Sequence, residues 1–119
     1  MEKINLVRKF NLIKEHWSPK IVGEVNDVYI KLVKFKGDFV WHFHEAEDEL
    51  FFVVKGTMVM MLRDKDLTLE EGEFIIVPKG VEHMPTADEE VHLMLIEPKS
   101  TLNTGNIKSE KTVKEPERI

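Results

Sequence analysis

His42 and His44 stand two residues apart in the stretch Gly37-Asp-Phe-Val-Trp41-His42-Phe43-His44. In extended backbone, side chains alternate between faces with a period of two, so both imidazoles point to the same side. Glu49 follows a short polar break, Glu45-Ala-Glu-Asp48, and opens the apolar run Leu50 to Val54, which closes at Gly56. Two imidazoles and a carboxylate that converge from neighbouring strands form an open facial metal site. Asp48 competes with Glu49 for this role, but Glu49 falls in phase with Phe51 and Val53 on the inner face. Downstream, Gly72-Glu-Phe-Ile-Ile-Val-Pro78-Lys-Gly80-Val-Glu-His83 reads as a strand, a Pro-x-Gly turn and a further histidine.

These two stretches resemble the two sequence motifs of the cupin superfamily. In the first motif a His-x-His pair is followed by a glutamate and then a glycine, here His42, His44, Glu49 and Gly56. In the second, a glycine precedes Pro-x-Gly and a histidine, here Gly72, Pro78, Gly80 and His83. The resemblance implies four metal ligands: His42, His44, Glu49 and His83. The sequence departs from the pattern in two places. The spacer from Gly37 to His42 is one residue short. Ala87 stands where many members carry asparagine, which argues against the germin-like activities of the superfamily.

With three neutral imidazoles and one carboxylate, a divalent ion keeps a net charge of +1 and two open octahedral positions. Such a centre polarises a bound group or acidifies bound water, and with a redox metal it supports oxygen chemistry. The chain has no cysteine, so thiolate ligation and disulfides are excluded. Nitrogen and oxygen ligands suit one divalent transition metal, Fe, Mn, Ni, Cu or Zn, and affinity order alone does not choose among them.

The elements that must hold these residues are short and strand-like. Turn signals recur at Asn26-Asp27, Gly37-Asp38, Lys55-Gly56, Arg63 to Asp66, Glu70 to Gly72, Pro78 to Gly80 and Asp88 to Glu90. Runs rich in β-branched and aromatic residues lie between them. The pattern is all-β, a sandwich or barrel, and the resemblance implies a double-stranded β-helix, the jelly-roll barrel. We expect an N-terminal arm over 1–20, the barrel over 21–98 and a polar C-terminal tail over 99–119, extended, partly pinned to the surface and loose at its end. The arm reads as a short helix or as a segment laid across the barrel.

A strand is expected over Phe39 to His44, with Val40, His42 and His44 on one face and Phe39, Trp41 and Phe43 on the other. The aromatic face needs cover, and a second subunit is one source of it, so a homodimer is expected. Val91, Leu93 and Leu95 face inward, and His92 is an ordinary outward strand residue. The pocket is expected to be apolar and methionine-rich, lined by Val40, Phe51, Val53, Met58, Met60, Met84 and Leu93, with Tyr29 and Lys31 able to reach it from a neighbouring strand. Arg63, the one central arginine, sits in a hairpin turn, which argues against a phosphosugar substrate.

The chain of 119 residues, 42% hydrophobic, suffices for one domain with one core. A net charge of −5 with scattered lysines offers no basic stripe for nucleic acid. No apolar run is long enough to cross a bilayer, and the start lacks the apolar core of a signal peptide, so a cytoplasmic location is expected. Two functions fit. One is a metalloenzyme that acts on a small, weakly polar organic molecule by dioxygenation, isomerisation or lyase chemistry. The other is a cupin that binds a small ligand without turnover. The residues assign no general acid or base beyond the ligands.

Overall fold

The computed structural model describes residues 1–119. Helix α1 (Leu6–Asn11) precedes seven strands: β1 (Lys20–Val25), β2 (Val28–Asp38), β3 (Glu49–Lys55), β4 (Met58–Leu62), β5 (Asp66–Leu69), β6 (Phe74–Val77) and β7 (His83–Pro98). All pairings are antiparallel, in the order β1-β2-β7-β3-β6, with β4 joining β7 and β5 joining β4. The architecture is the expected jelly-roll barrel.

β7 makes the closure possible. Its first half, from His83 to Thr86, pairs with β4, and its second half, from His92 to Ile96, pairs with β3. β2 runs along it from Thr86 to Pro98, with a bulge between Phe35 and Gly37. One strand therefore serves both walls and bends where the bulge relaxes the ladder. The expected turn at Asp88 to Glu90 is instead continuous, exposed strand. The polar run interrupts burial without interrupting hydrogen-bonded backbone.

Alternation along β3 is regular. Glu49, Phe51 and Val53 are buried, and Leu50, Phe52 and Val54 are half-buried on the outer face. Val33, Phe35, Phe51, Val53, Met58, Met60, Leu93 and Leu95 belong to the main core. A second, smaller core lies on the outer face, where Phe10 and Ile13 of the arm cover Leu32 of β2. The arm thus contains the short helix, capped by the Asn5 side chain on the Arg8 amide at 3.0 Å.

The tail differs from expectation at its end. Ile119 and Glu117 exchange backbone hydrogen bonds with Ile21 of β1, at 3.1 and 2.8 Å, and Ile119 packs on the second core. A hydrophobic C-terminal residue with an unpaired strand edge beside it has both a core and a ladder to join, so the end of the chain is held.

Candidate metal centre

Glu49 opens β3 and His83 opens β7, so two of the four candidate ligands are held by strands. His42 and His44 are not. The expected strand over Phe39 to His44 does not form; the segment makes one isolated bridge, in which His42 and His83 exchange backbone hydrogen bonds at 3.1 and 2.9 Å. The loop is fixed by other contacts. The amide of Gly80 donates to the carbonyl of His44 at 2.8 Å. The amide of Lys79 donates to Asp48 Oδ1 at 2.9 Å. Asp48 is therefore exposed and occupied in pinning the second motif to the first, and the inward carboxylate is Glu49.

The tail clamps the loop from the other side. Asn106 Oδ1 accepts from the Phe43 amide at 2.9 Å, and the Asn106 amide donates to the Phe43 carbonyl at 3.2 Å. The residue between the two histidines is thus held on both its backbone groups. Gly105, at φ +56°, lies so close that a Cβ there would collide with the Phe43 carbonyl and stand 3.2 Å from His42 Cδ2. Nothing in the polar composition of the tail signalled this role, although a lone glycine followed by asparagine is a turn signal.

His42, His44, Glu49 and His83 are all buried, and one ligand atom from each falls within 4.8 Å of the others. His42 Nδ1 lies 2.8 Å from the Val40 carbonyl, and His83 Nδ1 lies 2.9 Å from the Val81 carbonyl. A carbonyl accepts only, so each Nδ1 carries the proton and each Nε2 is left with a free lone pair, the arrangement that orients a histidine for a metal. His44 Nε2 approaches Glu49 Oε1 at 3.1 Å and His83 Nε2 approaches the same oxygen at 3.6 Å, neither with hydrogen-bond alignment. His44 Nδ1 and Nε2, Glu49 Oε1 and His83 Nε2 are all buried without a hydrogen-bond partner. Each such atom costs roughly 1–3 kcal/mol if nothing satisfies it. One cation at their common focus satisfies the converging set, and a nitrogen-oxygen donor set fits a divalent transition metal.

The electrostatics agree with this. Burial, then the neighbouring His83, lower His42 from 6.5 to about 4, so it is a neutral donor near pH 7. Burial alone would raise the Glu49 carboxyl, but contacts from Glu97, His44 and His83 outweigh it and hold Glu49 well below the usual carboxylate range. Glu97, which the sequence reading passed over, moves the other way. Burial and the adjacent Glu49 charge push it well above that range, against the pull of Lys31.

Beside the ligands lies a cavity of about 40 Å³. Its walls include Trp17, Phe35, Phe39, Phe51, Leu93 and Leu95, and His42 and Glu49 face into it. Of the expected pocket residues, Phe51 and Leu93 line it. Met58, Met60 and Val53 are plain core, and Met84, half-buried, alternates with the inward His83. Val40 does not line it; Phe39 does, edge-on to His42 with ring centroids 5.3 Å apart. The irregular backbone of this segment breaks the strict alternation that the expected strand required. Tyr29 and Lys31 line a different, surface pocket with Lys99 and Arg118. His92, as expected, faces outward and stacks on Phe10 at 4.6 Å.

The aromatic face is covered within the chain. Trp17 stacks on Phe39 at 4.8 Å, the Arg63 guanidinium sits 3.8 Å above the Trp41 ring, and Asn106 of the tail holds the backbone of Phe43.

The Cupin domain family matches residues 31–97, more than half of the chain and all four candidate ligands. The chain belongs to the cupin family. This cupin is 35% identical over 80 residues to the uncharacterized protein YdbB of Bacillus subtilis (strain 168), covering 66% of this chain and 71% of that one. Among solved structures, it is similar to a cupin-2 domain containing protein from Shewanella frigidimarina, at 50% identity and a TM-score of 0.79, covering 80% of this chain and 93% of that one. It is also similar to protein NMB1881 from Neisseria meningitidis, at 39% identity and a TM-score of 0.76, covering 82% and 99%. No helix of this cupin is long and apolar enough to cross a membrane.

Proposed function

We propose that this cupin binds one divalent transition metal through His42, His44, Glu49 and His83 and acts on a small, weakly polar organic molecule beside it, by dioxygenase, isomerase or lyase chemistry. The observation that carries the reading is the convergence of buried, unpartnered ligand atoms whose two flanking histidines are already oriented by backbone carbonyls. When bound, the metal supplies Lewis acidity or electron transfer. The protein supplies the rest. His42 and Glu49 present their donor atoms to the cavity, and the aromatic walls exclude water and lower the local dielectric.

The substrate class follows from what the cavity offers. Apart from the ligands, its one polar side chain is Asn103, whose amide donates to the Lys111 carbonyl and whose oxygen accepts from the Val113 amide, both at 2.8 Å. No arginine or lysine lines the cavity, so nothing but the metal is available to pair with an anionic group. Its small volume restricts the ligand further.

The competing reading is a cupin that binds a small ligand without turnover. It is favoured by the narrowness of the cavity, where Trp17 is stacked between Phe35 and Phe39 at 4.5 and 4.8 Å. Elemental analysis of untagged protein prepared without chelator separates the two. About one equivalent of iron, manganese, nickel, copper or zinc per chain supports the four-ligand centre. No metal, even after reconstitution, leaves the binding-module reading.

We place the proposed homodimer on a different face from the one the sequence suggested. β6 is an edge strand, and Phe74 and Ile76 on it are each 56% exposed. They lie opposite Phe52 and Leu50 in the β3–β6 ladder, so the outer face carries a contiguous apolar patch next to unpaired backbone.

A further inference from the structure

Lys31 and Glu97 form the most deeply buried lysine–carboxyl pair in the protein, with Nζ 2.6 Å from Oε1 and both side chains at most 2% exposed. Neither belongs to the ligand set. Their placement follows from sheet register. Leu50 pairs with Ile96 across β3–β7, so the next row sets Glu49 opposite Glu97. Tyr29 pairs with Glu97 across β2–β7, and Lys31, two residues on, shares that inner face. Glu97 therefore stands between the lysine and Glu49, as the buried cross-strand neighbour of Glu49 on the inner face. Its second oxygen, Oε2, is buried and has no hydrogen-bond partner.

We propose that Lys31 and Glu97 are positioning residues for Glu49: Lys31 anchors Glu97, and Glu97 holds the back of the Glu49 carboxyl so that Oε1 faces the three imidazoles. This role rests on the metal reading above. A carboxylate that offers one oxygen to a metal needs a partner for its remaining lone pairs. A buried lysine paired with a carboxyl is also a poor source of stability, because the desolvation cost rivals the attraction and an apolar pair of similar size commonly does as well or better. A pair lodged behind a candidate ligand thus has a role that stability alone does not supply. Lys31 has a second consequence: it places a fixed cation behind the carboxylate, on the side away from the cavity.

The test is Co(II) titration of chelator-treated protein, read by visible absorption, together with thermal melting of the metal-free form. Lys31→Met/Glu97→Leu is expected to melt at or above the wild-type temperature, yet to bind Co(II) about 10- to 100-fold more weakly with an altered spectrum. Glu97→Asp, which keeps the carboxyl but draws it back by one methylene, is expected to weaken Co(II) in the same direction, and it carries the test if the double variant does not fold. Glu97→Gln, which still accepts from Lys31 and donates to Glu49, is expected to restore most of the affinity. Wild-type affinity and spectrum in the double variant or in Glu97→Asp would overturn the positioning role while leaving the metal centre intact. Absence of Co(II) binding by the wild-type chain overturns the metal reading itself, and this role with it.

Discussion

Gly105 packs against Phe43, the residue between the two loop histidines, closely enough that no side chain fits between them. The tail is therefore part of the mould that shapes the centre. Gly105→Ala must both strain a left-handed backbone, at about 1–2 kcal/mol, and push the His42–His44 loop away. It is expected to lower the melting temperature by several degrees and to weaken metal binding. Gly37→Ala is the control: Gly37 also has positive φ, at +80°, but open space around it. It should show the backbone cost and leave metal affinity unchanged. Equal metal loss in both variants would sink the clamp.

Alanine at His44 or Glu49 removes a proposed ligand and a buried unpartnered group together. The folded barrel is expected to persist by circular dichroism, with metal content falling to near zero. If metal content survives either change, the ligand assignment is wrong.

The low proton affinity of His42 sets a pH dependence for the metal-free protein. As pH falls below 6.5 the unfolded chain takes up a proton that the folded chain refuses until about pH 4. Stability contributed by neutral His42 is thus present above that window and lost within it, by at most about 3 kcal/mol. Denaturant unfolding in chelator at steps between pH 7 and 4 should show this loss, and His42→Gln should flatten it. An unchanged slope in the variant would assign the loss to other groups.

Trp17 walls the cavity while occupying a left-handed conformation, φ 61°. Trp17→Ala removes two aromatic stacks and opens the cavity. We expect a loss of about 2 kcal/mol, below the range for fully buried tryptophan because Trp17 is half-buried. Stripping of metal by EDTA should also become faster. Unchanged stripping kinetics would show that access runs elsewhere.

The proposed dimer face makes a separate prediction. Phe74→Lys/Ile76→Glu should leave metal content and melting behaviour near wild type and convert a dimer to a monomer by light scattering. A dimer that survives the double change uses another surface.

The sequence by itself was sufficient for the local part of this protein. Spacings of a few residues place His42 beside His44, Glu49 in phase with Phe51, and the Pro78-Lys-Gly80 turn before His83. Period-two alternation likewise identified the inner faces of β3 and the second half of β7. These features are local because backbone geometry repeats over two to four residues. The tertiary structure alone decided the rest. The partnership of Lys31, Glu97 and Glu49 depends on the registers of β2, β7 and β3, which join positions up to 66 residues apart. The clamp of Gly105 and Asn106 on Phe43, the wall that Trp17 makes with Phe39, and the held C-terminus depend on where the arm and tail cross the barrel. No period in the chain encodes such crossings. They are fixed by which buried polar groups and apolar faces remain to be satisfied once the sheets have closed.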